Sequence, residues 1–375
     1  MIYKDFYGLK LSALGLGCMR LPVIDGKDGQ IDEAATAKMV ALAMENGINY
    51  YDTAWMYHEH TSEVVIGKVL KQYPRDSFYL ATKFPGMSQE VRENPASIFE
   101  KQLEKCQVDY FDFYLIHNLG DKNVEAYLDD NDKVMPYLLE QKAKGRIRHL
   151  GLSTHATNEN LKRFLDKWGD YMEFCQIQLN YIDWNLQKAS GKVALLNERN
   201  IPIWVMEPLR GGKLATLSEA NTAKLNALRP DEQVPAWGFR SLQSLPGVTM
   251  VLSGMSNEQQ LMDNIATFSE NKPLNEAEMK ILMEIADEMS GGVPCTACHY
   301  CTTVCPMGLD IPKLIQLYNE YMFSGSQFIA FTVNDMHKEK RPSACLGCRA
   351  CERMCPQNIK IADVLADFDE KLPKK

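Results

Sequence analysis

The chain has 375 residues, 45% of them hydrophobic and 24% charged, with a formal net charge of -8. That balance is ordinary for a globular protein, and the length allows one large or two medium domains. Net acidity without a basic stripe argues against a nucleic-acid surface, and no apolar run approaches the roughly 18 to 20 residues that span a bilayer. The opening MIYKDFYGLK is polar within its first few residues and does not read as a signal peptide, so a cytoplasmic protein is expected.

Over the first 255 residues, short apolar or β-branched runs alternate with amphipathic helical stretches. The spacing predicts strands at 11–19 (LSALGLGCM), 47–54 (GINYYDTA), 77–84 (SFYLATKF) and 111–118 (FDFYLIHN). Four more follow at 146–154 (RIRHLGLST), 173–180 (EFCQIQLN), 201–209 (IPIWVMEPL) and 248–255 (VTMVLSGM). Between them DEAATAKMVALAMENG, NPASIFEKQLEKCQ and NENLKRFLDKWGD carry helical periodicity, the first with an acidic first turn and a stop at Gly47. Strand and helix alternating eight times imply a parallel sheet, and eight units suit a closed (β/α)8 TIM barrel. An open doubly wound sheet is the competitor, but GLGCMR lacks the third glycine of its fingerprint. A helical run, NEAEMKILMEIADEM, then leads to SGGVP, a boundary signal that divides the chain into 1–288 and 289–375.

In a barrel of this kind chemistry sits at the carboxyl ends of the strands. Asp52, Lys83 and His117 occupy such ends, and Tyr57 follows Asp52 in the loop leaving the same strand. A lone Asp, Lys or Tyr there is usually a salt bridge, a cap or core, but four at successive strand ends make a proton-transfer unit. Lys83 beside a phenol favours phenolate and is expected to lower the Tyr57 pKa, Asp52 can hold Lys83, and His117 can donate to a carbonyl oxygen. Tyr57 then protonates that oxygen as hydride reaches carbon.

The stretches NYYDTAWMYHEHTSEVVIGKVL, LATKF and DFYLIHN resemble the three signature regions of the aldo-keto reductases, and LSALGLGCMRLP resembles their opening strand. The resemblance covers roughly residues 1 to 270 and implies a (β/α)8 barrel with NAD(P)H-dependent carbonyl reduction or alcohol oxidation. On its pattern Asp52, Tyr57, Lys83 and His117 form the catalytic tetrad. It further implies Ser153 and Thr154 (GLSTH) and Gln176 (CQIQLNY) at the nicotinamide carboxamide, and Leu209 and Gly211 (EPLRGGKL) at the pyrophosphate. Ser256, Gln260 and Asn264 (SGMSNEQQLMDN) fall at the adenosine end. Two departures stand out. Met206 takes the place of the aromatic that the family usually stacks on nicotinamide, and residues 254 to 264 contain no Lys or Arg for a 2′-phosphate. NADH is therefore expected to bind at least as well as NADPH unless Arg210 or Lys213 reaches round. Trp55 and Tyr181 are candidates for the substrate pocket or for packing.

Eight of the eleven cysteines lie after residue 290. In a reducing compartment such density reads as metal-binding or redox-active rather than as a disulfide framework. The runs CTACHYCTTVCP and CLGCRACERMCP repeat the C-x2-C-x2-C-x3-C-P of bacterial ferredoxins, in which the fourth cysteine serves the other cluster. That resemblance implies one [4Fe–4S] cluster on Cys295, Cys298, Cys301 and Cys355 and a second on Cys345, Cys348, Cys351 and Cys305. Paired zinc sites are the alternative, though they favour separated C-x2-C pairs with histidines. His299 is expected to be a spacer or hydrogen-bond donor. The 39 residues between Cys305 and Cys345 look helical with a break at SGS, as in helical ferredoxin modules.

A hydride carries two electrons and each cluster accepts one, and no flavin signature is visible to split the pair. The leading reading is a reductase of small carbonyl or alcohol substrates whose clusters exchange electrons with a redox protein partner or an additional cofactor. A second keeps ordinary carbonyl reduction and makes the clusters structural. A third makes the chain an electron-transfer protein with the barrel as scaffold.

Overall fold

The computed structural model describes residues 1–295 and 297–373. Its chain begins with an antiparallel hairpin, β1 (Tyr3–Phe6) and β2 (Leu9–Ser12). Tyr7 and Gly8 join the two strands with φ of 46° and 84°, the double left-handed turn that matches strand twist. Eight further strands follow: β3 (Leu14–Gly17), β4 (Tyr50–Asp52), β5 (Tyr79–Phe84), β6 (Phe111–Leu119), β7 (Ile147–Thr154), β8 (Cys175–Gln178), β9 (Ile203–Met206) and β10 (Val248–Ser253). They pair in parallel and close as β10-β3-β4-β5-β6-β7-β8-β9, the expected eight-stranded barrel. The run at 11–19 is not one strand. It breaks at Ala13 into β2 and β3, where the Ser12 hydroxyl donates back to the Leu14 carbonyl.

Strand alternation decides what fills the barrel. Tyr50, Ala81, Phe113, Leu115, Phe174, Trp204, Met250 and Leu252 form one buried cluster together with Phe6 and Leu11 of the hairpin. Their strand neighbours Tyr51, Leu80, Tyr114, Ile116, Cys175, Ile203, Val205 and Val251 belong to the outer core beneath the helices. Phe6 packs edge-on to Trp204 and Phe174, so the hairpin lies against the interior cluster. Two residues further along β4, β5 and β6 the same inward parity brings Asp52, Lys83 and His117 above this apolar plug.

The helices start where the sequence provides caps. Asp32 accepts from the Ala35 N–H at the head of Glu33–Glu45, Asn94 from Ser97 at Pro95–Cys106, and Thr157 from Asn160 at Asn158–Trp168. The chain divides into two compact units, Met1–Leu282 and Met283–Lys375. The division falls within helix Glu276–Ser290, ahead of SGGVP.

The second unit is mainly helical. Ile311–Ser324 and Gln327–Asp335 flank Gly325, whose φ of 61° makes the expected break, and Ile361–Lys371 follows the second cysteine run. The sequence repeat is also a backbone repeat. Ala297 and Gly347 (φ 55° and 65°), His299 and Arg349 (62° and 58°), and Gly308 and Asn358 (55° and 53°) hold left-handed conformations at matching offsets.

Candidate functional site

Lys83 lies at the centre of the barrel mouth and is completely buried. Its Nζ donates to Asp52 Oδ1 at 2.5 Å, to the Thr53 carbonyl at 2.8 Å and to Tyr57 Oη at 3.2 Å. The His117 ring meets the Tyr57 ring edge-on with centroids 5.9 Å apart. The four sequence-predicted residues are thus brought together, three of them in one hydrogen-bonded chain.

Burial governs their protonation. It raises the Tyr57 phenol and the Lys83 ammonium pulls it down, with burial prevailing, so the phenol lies above its ordinary value. Lys83 does pull the phenol down, but the net lowering expected from it is overturned because burial outweighs it. The result is a phenol that stays protonated near neutrality. Burial also works against the Lys83 charge, yet Asp52 and Tyr57 outweigh it and hold the ammonium above its usual range. Burial, and then the Lys83 charge, push His117 down to about 3. The imidazole is neutral, and its buried Nδ1 has no partner among the described residues.

A network behind the tetrad escaped the sequence reading. Glu63, fully buried, accepts from Thr82 Oγ1 at 2.7 Å, from Gln102 Nε2 at 2.6 Å and from Lys105 Nζ at 3.0 Å. Gln102 also donates to the Lys83 carbonyl at 3.0 Å and accepts from Tyr114 Oη at 2.5 Å. Lys105 lies over the Trp55 ring at 4.2 Å. The loop carrying Trp55 is thereby tied to the strand carrying Lys83.

The residues expected at the cofactor sit at the carboxyl ends of β7 to β10. Ser153 pairs in register with Gln176, and Gln178 with Met206. Gln176 is buried, and its Oε1 has no partner among the described residues, leaving an acceptor that an amide N–H would satisfy. The Ser153 hydroxyl accepts from the Asn118 N–H at 2.9 Å, and Thr154 Oγ1 donates to the Leu119 carbonyl at 3.0 Å, so both already tie β7 to β6. Met206, half-buried, follows the inward-facing Trp204 on β9. Leu209 caps a short turn in which Gly211 takes φ of 66°. Ser256 donates through its N–H to Gln260 Oε1 at 2.8 Å, and Asn264 donates to Ser253 Oγ at 3.1 Å.

Of the two cations considered for a 2′-phosphate, Arg210 is buried and bonded through Nε to both Asp183 oxygens at 3.1 Å, while Lys213 is exposed. Arg20 touches both loops. Its guanidinium lies 3.1 Å from where a Gly211 Cβ would stand, its stem 3.2 Å from where a Gly254 Cβ would stand, and its carbonyl accepts from Ser256 Oγ. Arg20 follows the first barrel strand, and the strand-end rule that flagged Asp52 applies to it equally. Tyr181 is buried, close to Gly238, and Trp55 is half-buried.

In the second unit one cavity is lined by Cys295, Cys298, Cys301 and Cys355, with His299 and Gln357 beside them. The fourth cysteine of the second run thus joins three of the first, as the crossed pattern requires. Cys305, Cys345 and Cys351 pack in the same small core, with Cys348 exposed. All eleven cysteines are free, and no three His, Cys, Asp or Glu among the described residues are grouped tightly enough for a single metal ion. The crossed grouping of Cys295, Cys298, Cys301 and Cys355 fits ligands arranged around an iron–sulfur group.

The family model "Aldo/keto reductase family" matches residues 13–245, and that of a "4Fe-4S dicluster domain" matches 294–359. Probable aldo-keto reductase 1 of Glycine max is 28% identical over 213 residues, covering 55% of this chain and 58% of that protein. The NADH-specific methylglyoxal reductase of Escherichia coli (strain K12) is 23% identical over 328 residues, covering 75% and 96%. Among solved structures, the holo form of aldo-keto reductase AKR11C1 from Bacillus halodurans superposes with a TM-score of 0.62 at 24% identity, covering 76% of this chain and 96% of that one. An aldo-keto reductase from Klebsiella pneumoniae in complex with NADPH gives 0.57 at 22%, with the same coverage. The barrel, its mouth and a family match spanning more than half of the residues lead to one assignment: the chain belongs to the aldo/keto reductase family, an oxidoreductase barrel followed by a 4Fe-4S domain.

Proposed function

We propose that the barrel, residues 1–288, reduces a small carbonyl compound, or oxidises the corresponding alcohol, with a nicotinamide dinucleotide and with Tyr57 as the proton donor. The observation that carries this is Lys83 bonded at once to Asp52 and Tyr57 beside a neutral His117. The reduced nicotinamide supplies hydride to the carbonyl carbon. Tyr57 gives its proton to the carbonyl oxygen, and Lys83, held by Asp52, stabilises the phenolate left behind. His117 donates a hydrogen bond to the same oxygen and orients it. The open acceptor of Gln176 fits the carboxamide, with Ser153 and Thr154 shaping that end and Met206 facing the ring. Leu209, Gly211 and Arg20 fit the pyrophosphate, and Ser256, Gln260 and Asn264 the adenosine.

Residues 254–264 lack a cation and Arg210 is committed to Asp183, so NADH is the expected partner at least as much as NADPH. The NADH-specific relative supports this choice, while a neighbour of the same fold is solved in complex with NADPH. Titration of both by fluorescence gives the two Kd values; a hundredfold preference for NADPH would overturn it. With methylglyoxal as probe and NADH as reductant, Tyr57→Phe is expected to lose roughly 10²-fold or more in kcat with NADH binding retained. Turnover retained in that variant rules Tyr57 out as the acid.

The second unit is read as holding two [4Fe–4S] clusters on the crossed cysteine sets, exchanging single electrons with a redox protein partner, and free thiols at such density fit the cytoplasm. A structural role is the second reading, favoured by the way the cysteines build that unit's core. Anaerobic iron and sulfide counts followed by NADH titration separate the two. Bleaching of the visible cluster absorbance supports electron exchange, and carbonyl reduction without bleaching supports the structural role.

A further inference from the structure

On the reading of Tyr57 as the acid, we infer that His58 is a positioning residue that holds the phenol in place by locking a strained turn onto the loop after β3. His58, Glu59 and His60 have φ of 50°, 51° and 76°. Three consecutive side-chain-bearing residues in the left-handed region are costly, and such a backbone persists only where its surroundings over-determine it. The turn starts at the residue after Tyr57, and the Tyr57 carbonyl accepts from the N–H groups of His60 and Ser62 at 3.1 and 3.3 Å. Relaxing the turn would swing the phenol away from Lys83.

The His58 ring is the anchor. Its side chain is 1% exposed, and both nitrogens are matched. Nε2 accepts from the Leu21 N–H at 3.0 Å, which places the proton on Nδ1, and Nδ1 donates to the Asp28 carbonyl and carboxylate, each at 2.9 Å. Both partners belong to the loop between β3 and helix Glu33–Glu45. Glu59 leans over Gly29 of that loop, where a Cβ would stand 2.4 Å from its carboxylate. The Thr61 hydroxyl closes the turn on the His58 carbonyl at 2.6 Å, and Ser62 Oγ donates to the Cys18 carbonyl at 2.9 Å. Lys83 therefore fixes the hydroxyl end of Tyr57, while His58 fixes its backbone. A histidine that only fills space has no need of an acceptor and a donor matched on opposite sides of its ring.

The test compares His58→Ala, His58→Gln and His58→Asn by kcat and KM for methylglyoxal, Kd for NADH and thermal midpoint. Gln places an acceptor near the reach of Nε2, and Asn a donor near that of Nδ1. His58→Ala is expected to lower kcat roughly ten- to hundredfold while the NADH Kd stays within about twofold, because misplacing a reacting group by an ångström is enough for such a loss. Each conservative variant recovers part of kcat. A folded His58→Ala with wild-type kcat overturns the assignment, as does a fall in kcat matched by an equal weakening of NADH binding. Should the Ala variant not fold, wild-type kcat in both Gln and Asn variants also overturns it. Tyr57→Phe run alongside isolates the underlying reading, since turnover retained there removes the acid role whatever His58 does.

Discussion

His117 and Tyr57 meet ring to ring at 5.9 Å, and the same burial keeps both neutral. For His117 this has a stability consequence whose sign is fixed. Its folded value is pushed down to about 3, whereas in the unfolded chain it is near the reference of about 6.5. Above that reference neither state holds the proton and His117 contributes no pH dependence. As pH falls from about 6.5 towards about 3, the unfolded chain takes up a proton that the folded chain refuses, so stability is lost. His117→Asn removes that uptake. Urea unfolding midpoints of wild type and variant should run parallel above neutrality, with the variant gaining relative stability below it, at up to about 1.4 kcal/mol per pH unit. Parallel curves throughout would show that His117 carries no such linkage. The tetrad was legible in the sequence because strand ends are sparse and four polar side chains there demand partners. Arg20 also follows a strand end and was overlooked there, whereas the His58 ring bonds to Leu21 and Asp28 cross the fold where no periodicity encodes them.

Between elements, a tight backbone constraint lies where helix Ser62–Leu70 crosses helix Pro95–Cys106. A Cβ on Gly67 would come within 2.5 Å of the Cys106 backbone carbonyl, which cannot step aside as a flexible side chain would. Gly67→Ala is therefore expected to destabilise the barrel by about 1–3 kcal/mol, against the usual gain from adding Ala to a helix, and to lower the thermal midpoint. The same two helices carry Glu63 and Gln102, so kcat should fall with stability; an unchanged midpoint would mean the helices separate freely. At this scale the eight barrel strands were readable, since β-branched runs recur at βα spacing and helix caps are explicit. The hairpin was missed because β2 and β3 form one apolar run in sequence and divide only where Ser12 turns the chain. The network of Glu63, Thr82, Gln102 and Tyr114 was missed for another reason. Its members lie on four different elements, and each alone reads as a solvated polar residue.

Each unit has its own core, an extensive one around the barrel and a small one in which the cysteines themselves take part. Because the cysteines are part of that core, any iron–sulfur group they bind would add its binding free energy to the folding of the unit. The crossed arrangement sharpens what ligand loss should do. The cavity joins Cys355 of the second run to Cys295, Cys298 and Cys301 of the first. On the two-cluster reading Cys355→Ser should disable the cluster of the first run, and Cys305→Ser that of the second, each leaving about half of the iron. Sequential, uncrossed pairing would reverse the assignment, and cluster-selective spectra of the two variants distinguish the cases. Chelating all the iron should go further and melt helices Ile311–Ser324 and Ile361–Lys371, which frame the cysteine core. On the proposed assignment every dinucleotide-binding residue precedes 265, so NADH affinity should survive that treatment. Loss of NADH binding in step with the iron would instead mean that the clusters support the barrel's fold.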